Sequence, residues 1–383
     1  MIRSEVSRCG PISFSRFQEL ALYHPVHGYY TTGAGIGRDG ADFWTAPEMT
    51  PAFGGFIGVQ IEEMAHLLDS PPEFRVIEYG AGEGGLAVGL LDSWRARQSR
   101  LYRPGVYEIV EQSPVLRQKQ HERLAAHRGI VEWGMSGSGT VPSSARASPP
   151  PLGGVILMNE VLDALPVRRV VQRGSRLAEI CVGVRDGDLI EVQVDATADL
   201  EAELCRALPA GHSLAPGQEA EIRVGVAGFM ASACDRIESG YVIVIDYGMC
   251  ANDLYDHSRV RGTAMAYSSH VATEDLLARV GCQDITAHVD FTALSATCRA
   301  LHVEKVGMTT QMEFLLSLGI GEAIEKLAAI EPQSPAVIGE RRDLVSLIQP
   351  GGMGTSFKVW IGARAAPHAV RGMSRPPTGA GRP

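Results

Sequence analysis

Residues 78–85 read Glu-Tyr-Gly-Ala-Gly-Glu-Gly-Gly, and Gly80, Gly82 and Gly85 fall in a GxGxxG pattern. Glycines so placed let the backbone approach a ligand where a Cβ would collide. The pattern alone suits any dinucleotide-type fold. Two acids narrow the reading. Glu78 ends the apolar run before the loop, and Glu111 ends the next run, where a carboxylate can take both ribose hydroxyls. Glu111 stands 29 residues beyond Gly82, later than the roughly 20-residue spacing of the NAD fingerprint. An acid at both positions suits S-adenosylmethionine, with its charged amino-acid end and cationic sulfonium. A nicotinamide cofactor is the alternative.

Other titratable residues lie at expected strand ends or in loops: Glu48, Glu160, Asp163, Asp246, Asp290 and His288. Methyl transfer from a sulfonium is an in-line displacement by an already activated donor. The protein mainly aligns the reactants and removes an acceptor proton where one must leave. A guanidinium acceptor would need carboxylates to hold and orient it, because its pKa is too high for simple deprotonation. Each of these residues also has a plain reading as a helix cap or buried ion-pair partner. Competing chemistries lack their motifs: the sequence has no GxxxxGK[ST], HExxH or GxSxG and no clustered metal ligands.

Strands alternating with helices must position these residues. Strands are expected at 74–80, 106–111, 130–133, 155–160 and 241–248, and helices at 84–98 and 113–127, the latter capped by Ser113 with Pro114 in its first turn. The alternation implies βαβ units and a mainly parallel, doubly wound sheet. Before it come a helix beginning after Ser13 and ended by Pro25, and a largely buried one over 51–68. Residues 167–194 alternate apolar and polar, as in an antiparallel excursion. Helices are expected at 198–208, 223–238, 273–279 and 291–300 and through QMEFLLSLG and GEAIEKLAAI, with a strand in LHVEKVG and a final edge strand in SFKVWIG (356–362). A flexible surface loop is expected at 134–154, and a disordered, acid-free tail at 363–383.

The chain has 383 residues and a net charge of −9, which argues against a nucleic-acid partner. Arg outnumbers Lys 31 to 4, a bias attributed to codon usage. Seven scattered cysteines without a CxxC pair speak against disulfides or structural zinc and for a reducing compartment, so a cytoplasmic location is expected. No apolar run approaches the ~20 residues of a membrane span.

The segments ISFSRFQELALYHPVHGYY, DFWTAPEMTPAFG, VIEYGAGEGGLA, YEIVEQSPVLRQKQ, MNEVLDALPV, VIDYG and QDITAHVDFTAL together resemble the MidA-like family of S-adenosylmethionine-dependent methyltransferases, over residues 12–361. The resemblance implies a seven-stranded class I methyltransferase (Rossmann-like) sheet with a helical N-terminal extension at 1–70, a core over 71–362 and substrate-recognition insertions at about 167–240 and 249–330. It places Glu78, Gly80, Gly82, Glu111 and Gln112 on the cofactor, Asn159 and Glu160 beside the reacting methyl, and Thr45-Ala-Pro47-Glu48 folded over the cofactor. Glu160, Asp246, His288 and Glu48 are the catalytic candidates. The implied acceptor is a protein or peptide arginine; a small-molecule methyltransferase and a non-catalytic cofactor-binding assembly factor are the alternatives, and a homodimer is left open. The sequence departs from the family at AGEGG, where an arginine commonly follows the second glycine, and in the 134–154 loop.

Overall fold

The computed structural model describes residues 1–33, 45–134, 153–269, 271–330 and 334–374. Residues 135–152 of the expected flexible loop and 375–383 of the expected tail lie outside these. The chain divides into two compact units, one of residues 1–43, 161–230 and 247–297, the other of 44–160, 231–246 and 298–383.

The second unit carries the glycine loop. Its strands are β1 (Phe74–Tyr79), β2 (Tyr107–Val110), β3 (Val131–Gly134), β4 (Gly153–Asn159), β5 (Ser239–Met249), β6 (Glu304–Thr310) and β7 (Phe357–Arg364). They lie in the order β6-β7-β5-β4-β1-β2-β3. Adjacent strands from β5 through β3 pair in parallel, whereas β6 and β7 are antiparallel. The parallel strands are near-continuous Val, Ile and Leu because both faces are covered; residues 155–158 and 241–245 are fully buried. The last residues of β5 fall in the first unit, where Gly248 and Met249 pair in parallel with the short strand Val289–Asp290.

Three helices flank the loop: α1 (Ala52–Leu67), α2 (Gly85–Ala96) and α3 (Pro114–Arg123). Glycines let α1 and α2 pack backbone to backbone. A Cβ on Gly54 would lie 2.5 Å from the Leu86 carbonyl oxygen, and one on Gly89 would lie 2.1 Å from that of Pro51. The wholly buried Trp94 locks the pair by donating from Nε1 to the Gly58 carbonyl at 3.2 Å. Ser113 caps α3, its Oγ accepting from the Leu116 amide.

The first unit is largely antiparallel. Strands Ile12–Ser13, Arg176–Arg185, Arg168–Arg173 and Glu219–Ile222 form one sheet in that order, with Asp188–Asp195 paired to Arg176–Arg185. Val271–Thr273, Met265–Ser268 and Asp284–Thr286 form another. The helix Phe14–Tyr23, capped by Ser13, buries Phe14, Phe17 and Ala21 in a core shared with Val182, Ala266 and Ile285. Inside that core the Gln18 amide donates to the Ile285 carbonyl at 2.9 Å and accepts from the Val167 amide at 3.0 Å.

Several expectations are revised. Residues 1–33 do not form one unit with 45–70. The apolar face of Phe14–Tyr23 packs on residues beyond 161, while 45–70 belong with the parallel sheet. No helix occupies 273–279; Val271–Thr273 is a strand paired with Met265–Ser268, followed by turns. The strand at 357–364 is interior, between β6 and β5, so β6 is the edge. The tail is ordered as far as 374: Val370 and Gly372 are buried, and the Arg371 amide donates to Glu63 at 2.9 Å. Helices Ile2–Cys9 and Pro335–Ile348 and strand Glu219–Ile222 were not anticipated.

Candidate functional site

The β1–α2 turn follows from its glycines. Gly80, Gly82 and Gly84 have φ of 63°, 54° and 90°, in the left-handed region that costs an L side chain about 1–2 kcal/mol. A Cβ built on Gly82 meets nothing within 4 Å. Its surroundings are open. The turn closes through the Gly84 amide bonding the Ala81 carbonyl at 2.8 Å.

Glu78 and Glu111 flank this turn. Glu78 lies in β1 opposite Ile109 of β2 and Leu157 of β4, and Glu111 immediately follows β2. Both are buried. Burial pushes the Glu78 carboxyl up to about 7; the Tyr107 hydroxyl, donating to Glu78 Oε2 at 2.8 Å, opposes the rise, and the charge of Glu111 adds to it. Burial also raises Glu111, against hydrogen bonds from the Ser113 amide to Oε1 at 2.8 Å and the Gln120 amide to Oε2 at 3.3 Å. Two carboxyls held against their ionised forms suit a cationic ligand, which supplies the missing counter-charge. Gln112, beside them, is exposed.

At the ends of the next strands, Asn159 registers against Ile245, the residue before Asp246. Asp246 is fully buried. Asn159 donates from Nδ2 to Glu160 Oε1 at 3.0 Å, while its buried Oδ1 has no partner among the described residues. Glu160 has a φ of 54° although it is not glycine, strain of a kind that collects at functional sites. Its amide is fixed by the Ile245 carbonyl at 2.9 Å.

The 45–48 segment lies on the glycine loop. Thr45 caps the short helix Ala46–Met49, its carbonyl accepting from the amides of Glu48 and Met49. A Cβ on Gly85 would fall 2.4 Å from Glu48 Oε1 and 3.1 Å from the Pro47 carbonyl oxygen. Both Glu48 oxygens also accept from Arg123 Nη1 at 2.7 Å. The Glu48 carboxylate is thus engaged as a tie between this segment and α3.

His288 belongs to the other unit, with Asp163 and Asp290. The His288 amide donates to Thr263 Oγ1 at 3.0 Å and its carbonyl accepts from Arg223 at 3.2 Å. Asp290 Oδ1 accepts from the amides of Thr292 and Ala293, capping the helix Phe291–Ala300. Burial raises Asp163 to about 6, opposed chiefly by the positive charge of Arg223.

The structure thus groups Glu78, Gly80, Gly82 and Glu111, sets Pro47 and Glu48 over Gly85, and puts Asn159, Glu160 and Asp246 at neighbouring strand ends. Gln120, which touches both loop and acid, escaped the sequence reading. The available signal was a polar residue in an otherwise apolar helical row, Leu116-Gln120-Leu124, all three buried. Among the described residues no group of three or more His, Cys, Asp or Glu side chains could hold a metal ion. No helix is long and apolar enough to cross a membrane.

A parallel sheet whose first turn is glycine-rich and whose first two strands end in acids defines a methyltransferase of the S-adenosylmethionine-dependent kind. The chain belongs to the MidA-like family of such enzymes: the model of an S-adenosyl-L-methionine-dependent methyltransferase family matches residues 56–309. A crystal structure from Burkholderia thailandensis, bound to S-adenosyl-homocysteine, is 32% identical, with a TM-score of 0.84 over 98% of this chain and 94% of that one. A native crystal structure from the same organism is 30% identical, with a TM-score of 0.82 over 98% and 93%. Among curated proteins, the mitochondrial protein arginine methyltransferase NDUFAF7 homolog of Drosophila melanogaster is 27% identical over 93% of this chain and 82% of its own length. The Danio rerio protein arginine methyltransferase NDUFAF7, also mitochondrial by name, is 26% identical over 93% and 84%. The chain is therefore an S-adenosylmethionine-dependent methyltransferase, and the nicotinamide alternative falls away. The expected cytoplasmic location is overturned by these relatives, which are named as mitochondrial proteins.

Proposed function

We propose that the chain methylates a guanidinium nitrogen of an arginine in a protein or peptide. The observation that carries this reading is the acid-lined end of the sheet, where Glu160 follows β4 and Asp246 lies in β5 one residue beyond those paired with β4. Ligands of open α/β sheets bind at such strand ends. The names of the curated relatives as protein arginine methyltransferases support the same acceptor. The seven strands along the main path, in the order given above, are read as the class I sheet, and the first unit as the acceptor-recognition region.

When bound, S-adenosylmethionine supplies a methyl group already activated by a positive sulfur. Gly80 and Gly82 admit it close to the backbone, Glu111 takes the ribose hydroxyls with Gln112 beside it, and Glu78 answers its positive charge. Thr45 and Pro47 cover it. Asn159 Oδ1, a buried acceptor without a partner among the described residues, takes an N–H from the cofactor's ammonium. Glu160 and Asp246 hold the guanidinium and turn one nitrogen toward the methyl carbon. Once that nitrogen carries the methyl, its acidified proton passes to Glu160. Glu48, committed to Arg123, positions the 45–48 segment, and His288 is assigned no step.

Incubation with methyl-labelled S-adenosylmethionine and a cell extract, followed by mass spectrometry of proteins and metabolites, tests the acceptor. Label on arginine residues is expected. Label confined to a small metabolite would replace this reading with a biosynthetic one. Cofactor binding without transfer to any acceptor would favour the assembly-factor reading.

A further inference from the structure

Gln120 is fully buried on α3, and its side-chain amide makes three hydrogen bonds. Nε2 donates to the Gly82 carbonyl at 2.8 Å and to Glu111 Oε2 at 3.3 Å, while Oε1 accepts from Trp133 Nε1 at 3.1 Å. The aliphatic stem lies against the turn as well: a Cβ on Gly84 would sit 3.7 Å from Gln120 Cγ. The partners permit one orientation of the amide. An indole nitrogen only donates, a backbone carbonyl only accepts, and an ionised carboxylate only accepts. Trp133 therefore claims the amide oxygen, leaving both N–H groups for the loop and the acid. A flipped amide would face donor with donor and acceptor with acceptor.

We infer that Gln120 is a positioning residue for the cofactor, a clamp that sets the distance between the glycine turn and the ribose carboxylate, and that Trp133 orients the clamp. The sites Gln120 joins lie in different loops, one after β1 and one after β2. Gly82 has a left-handed φ and open space where a Cβ would be, so its carbonyl depends on the bond from Gln120 to hold its direction. Glu111 is a desolvated acid that keeps its orientation through donors from Ser113 and Gln120. Such an outer partner contributes by preorganisation: it removes alternatives the ligand would otherwise have to order on binding.

Two substitutions separate this role from plain packing. Gln120→Leu keeps the bulk and strands three polar groups. Trp133→Phe keeps an aromatic ring and removes the donor that orients the amide, along with part of the indole's contact with His121; Trp133 is partly exposed, so this variant tests the inference even if Gln120→Leu fails to fold. Calorimetry with S-adenosylhomocysteine should show binding about tenfold weaker or more for Gln120→Leu, and less weakened, in the same sense, for Trp133→Phe. The KM for S-adenosylmethionine should rise by the same factors with kcat little changed. Adding Trp133→Phe to Gln120→Leu should cost nothing further, because without the amide there is nothing left to orient. A Gln120→Leu protein that folds and binds within twofold of wild type overturns the inference. So does full additivity of the two changes, or an unaltered affinity in Trp133→Phe. The inference rests on the assignment of Glu111 to the cofactor, which Glu111→Gln tests separately. If Glu111→Gln binds normally, that assignment fails; if it binds weakly while Gln120→Leu binds normally, only the clamp fails.

Discussion

Replacing Glu78 by glutamine should remove a pH-dependent stability cost of about 3 kcal/mol. The side chain is 2% exposed, and burial lifts its pKa from 4.5 to about 7. In the unfolded chain it ionises near the ordinary value. Below pH 4.5 the group is protonated in both states and costs nothing. Between 4.5 and 7 the unfolded chain gives up the proton while the fold retains it, and above 7 the full penalty is present. At about 1.4 kcal/mol for each tenfold in proton affinity, the penalty reaches about 3 kcal/mol. Glutamine cannot ionise, and its amide oxygen can still accept from the Tyr107 hydroxyl, now 2.8 Å from Glu78 Oε2. Urea unfolding of both proteins at pH 5 and pH 8 provides the assay. Glu111, Asp163, Glu219 and Asp290, also raised by burial, titrate in both proteins and largely cancel in the difference. The stability of Glu78→Gln relative to wild type should increase by most of that 3 kcal/mol between the two pH values. A difference that stays constant within about 1 kcal/mol would show that Glu78 does not hold the proton. The ligand arm has the opposite sign: wild type should bind S-adenosylhomocysteine more tightly as pH rises through 7, with proton release below it, whereas the variant should lose this dependence.

Gly82→Val should abolish measurable S-adenosylhomocysteine binding, since a branched side chain would enter open space and adopt a φ of 54° at a folding cost of about 1–3 kcal/mol. Calorimetry with the folded variant checks this, and near-normal binding would move the cofactor away from the turn. Glu160→Gly should raise stability by about 1 kcal/mol through relief of its left-handed backbone, while turnover falls at least a hundredfold; thermal unfolding and labelled methyl transfer read the two effects. Asp246→Asn should keep cofactor affinity within a few-fold and lower kcat by about 10²–10⁴, and unchanged turnover would remove Asp246 from the acceptor site.

The sequence made the parallel strands and the acids at their ends legible because these depend on local signals. Apolar runs such as VILMN end in chemistry-bearing residues, and glycines fall where the turn needs left-handed backbone. Ser13 and Ser113 revealed their helices through caps. Misread elements depended on partners distant in sequence. Val271–Thr273 carries too few residues for periodicity, and becomes a strand only through Met265–Ser268. Phe357–Arg364 looks like any strand until β6 covers its outer side. Residues 365–374 lack a recognisable pattern because their order comes from Glu63, Gln60 and Ser317 reaching them from elsewhere in the unit. Gln120 was missed for a related reason: its importance lies in bonds to residues 38 and 13 positions away, which no helical pattern records.

The two ends of the parallel sheet handle buried charge differently, and the contrast bears on the role proposed for Glu78 toward a cationic cofactor. Near the starts of β1 and β2, Glu108 accepts from Arg75 at 3.1 Å and from Arg236 at 2.8 Å, so the acid there is neutralised by arginine. Near their other ends, Glu78 and Glu111 form no ion pair among the described residues; they take neutral donors from Tyr107, Ser113 and Gln120. At Glu78 the donor is neutral and fixes the carboxyl's direction without supplying charge, whereas the positive charge of Arg117 acts on Glu111; burial outweighs both, and the two acids remain raised. Without an ion-pair partner among the described residues, Glu78 is a desolvated acid whose ionisation costs stability, and a positive ligand bound beside it would offset that cost. An arginine introduced beside Glu78, for example by Ile109→Arg across the sheet, would unfold the core and teach little. Glu78→Gln removes the charge within the same shape, so loss of the preference for S-adenosylmethionine over its uncharged-sulfur product in that variant would tie selectivity to that charge. Retention of the full preference would assign it elsewhere.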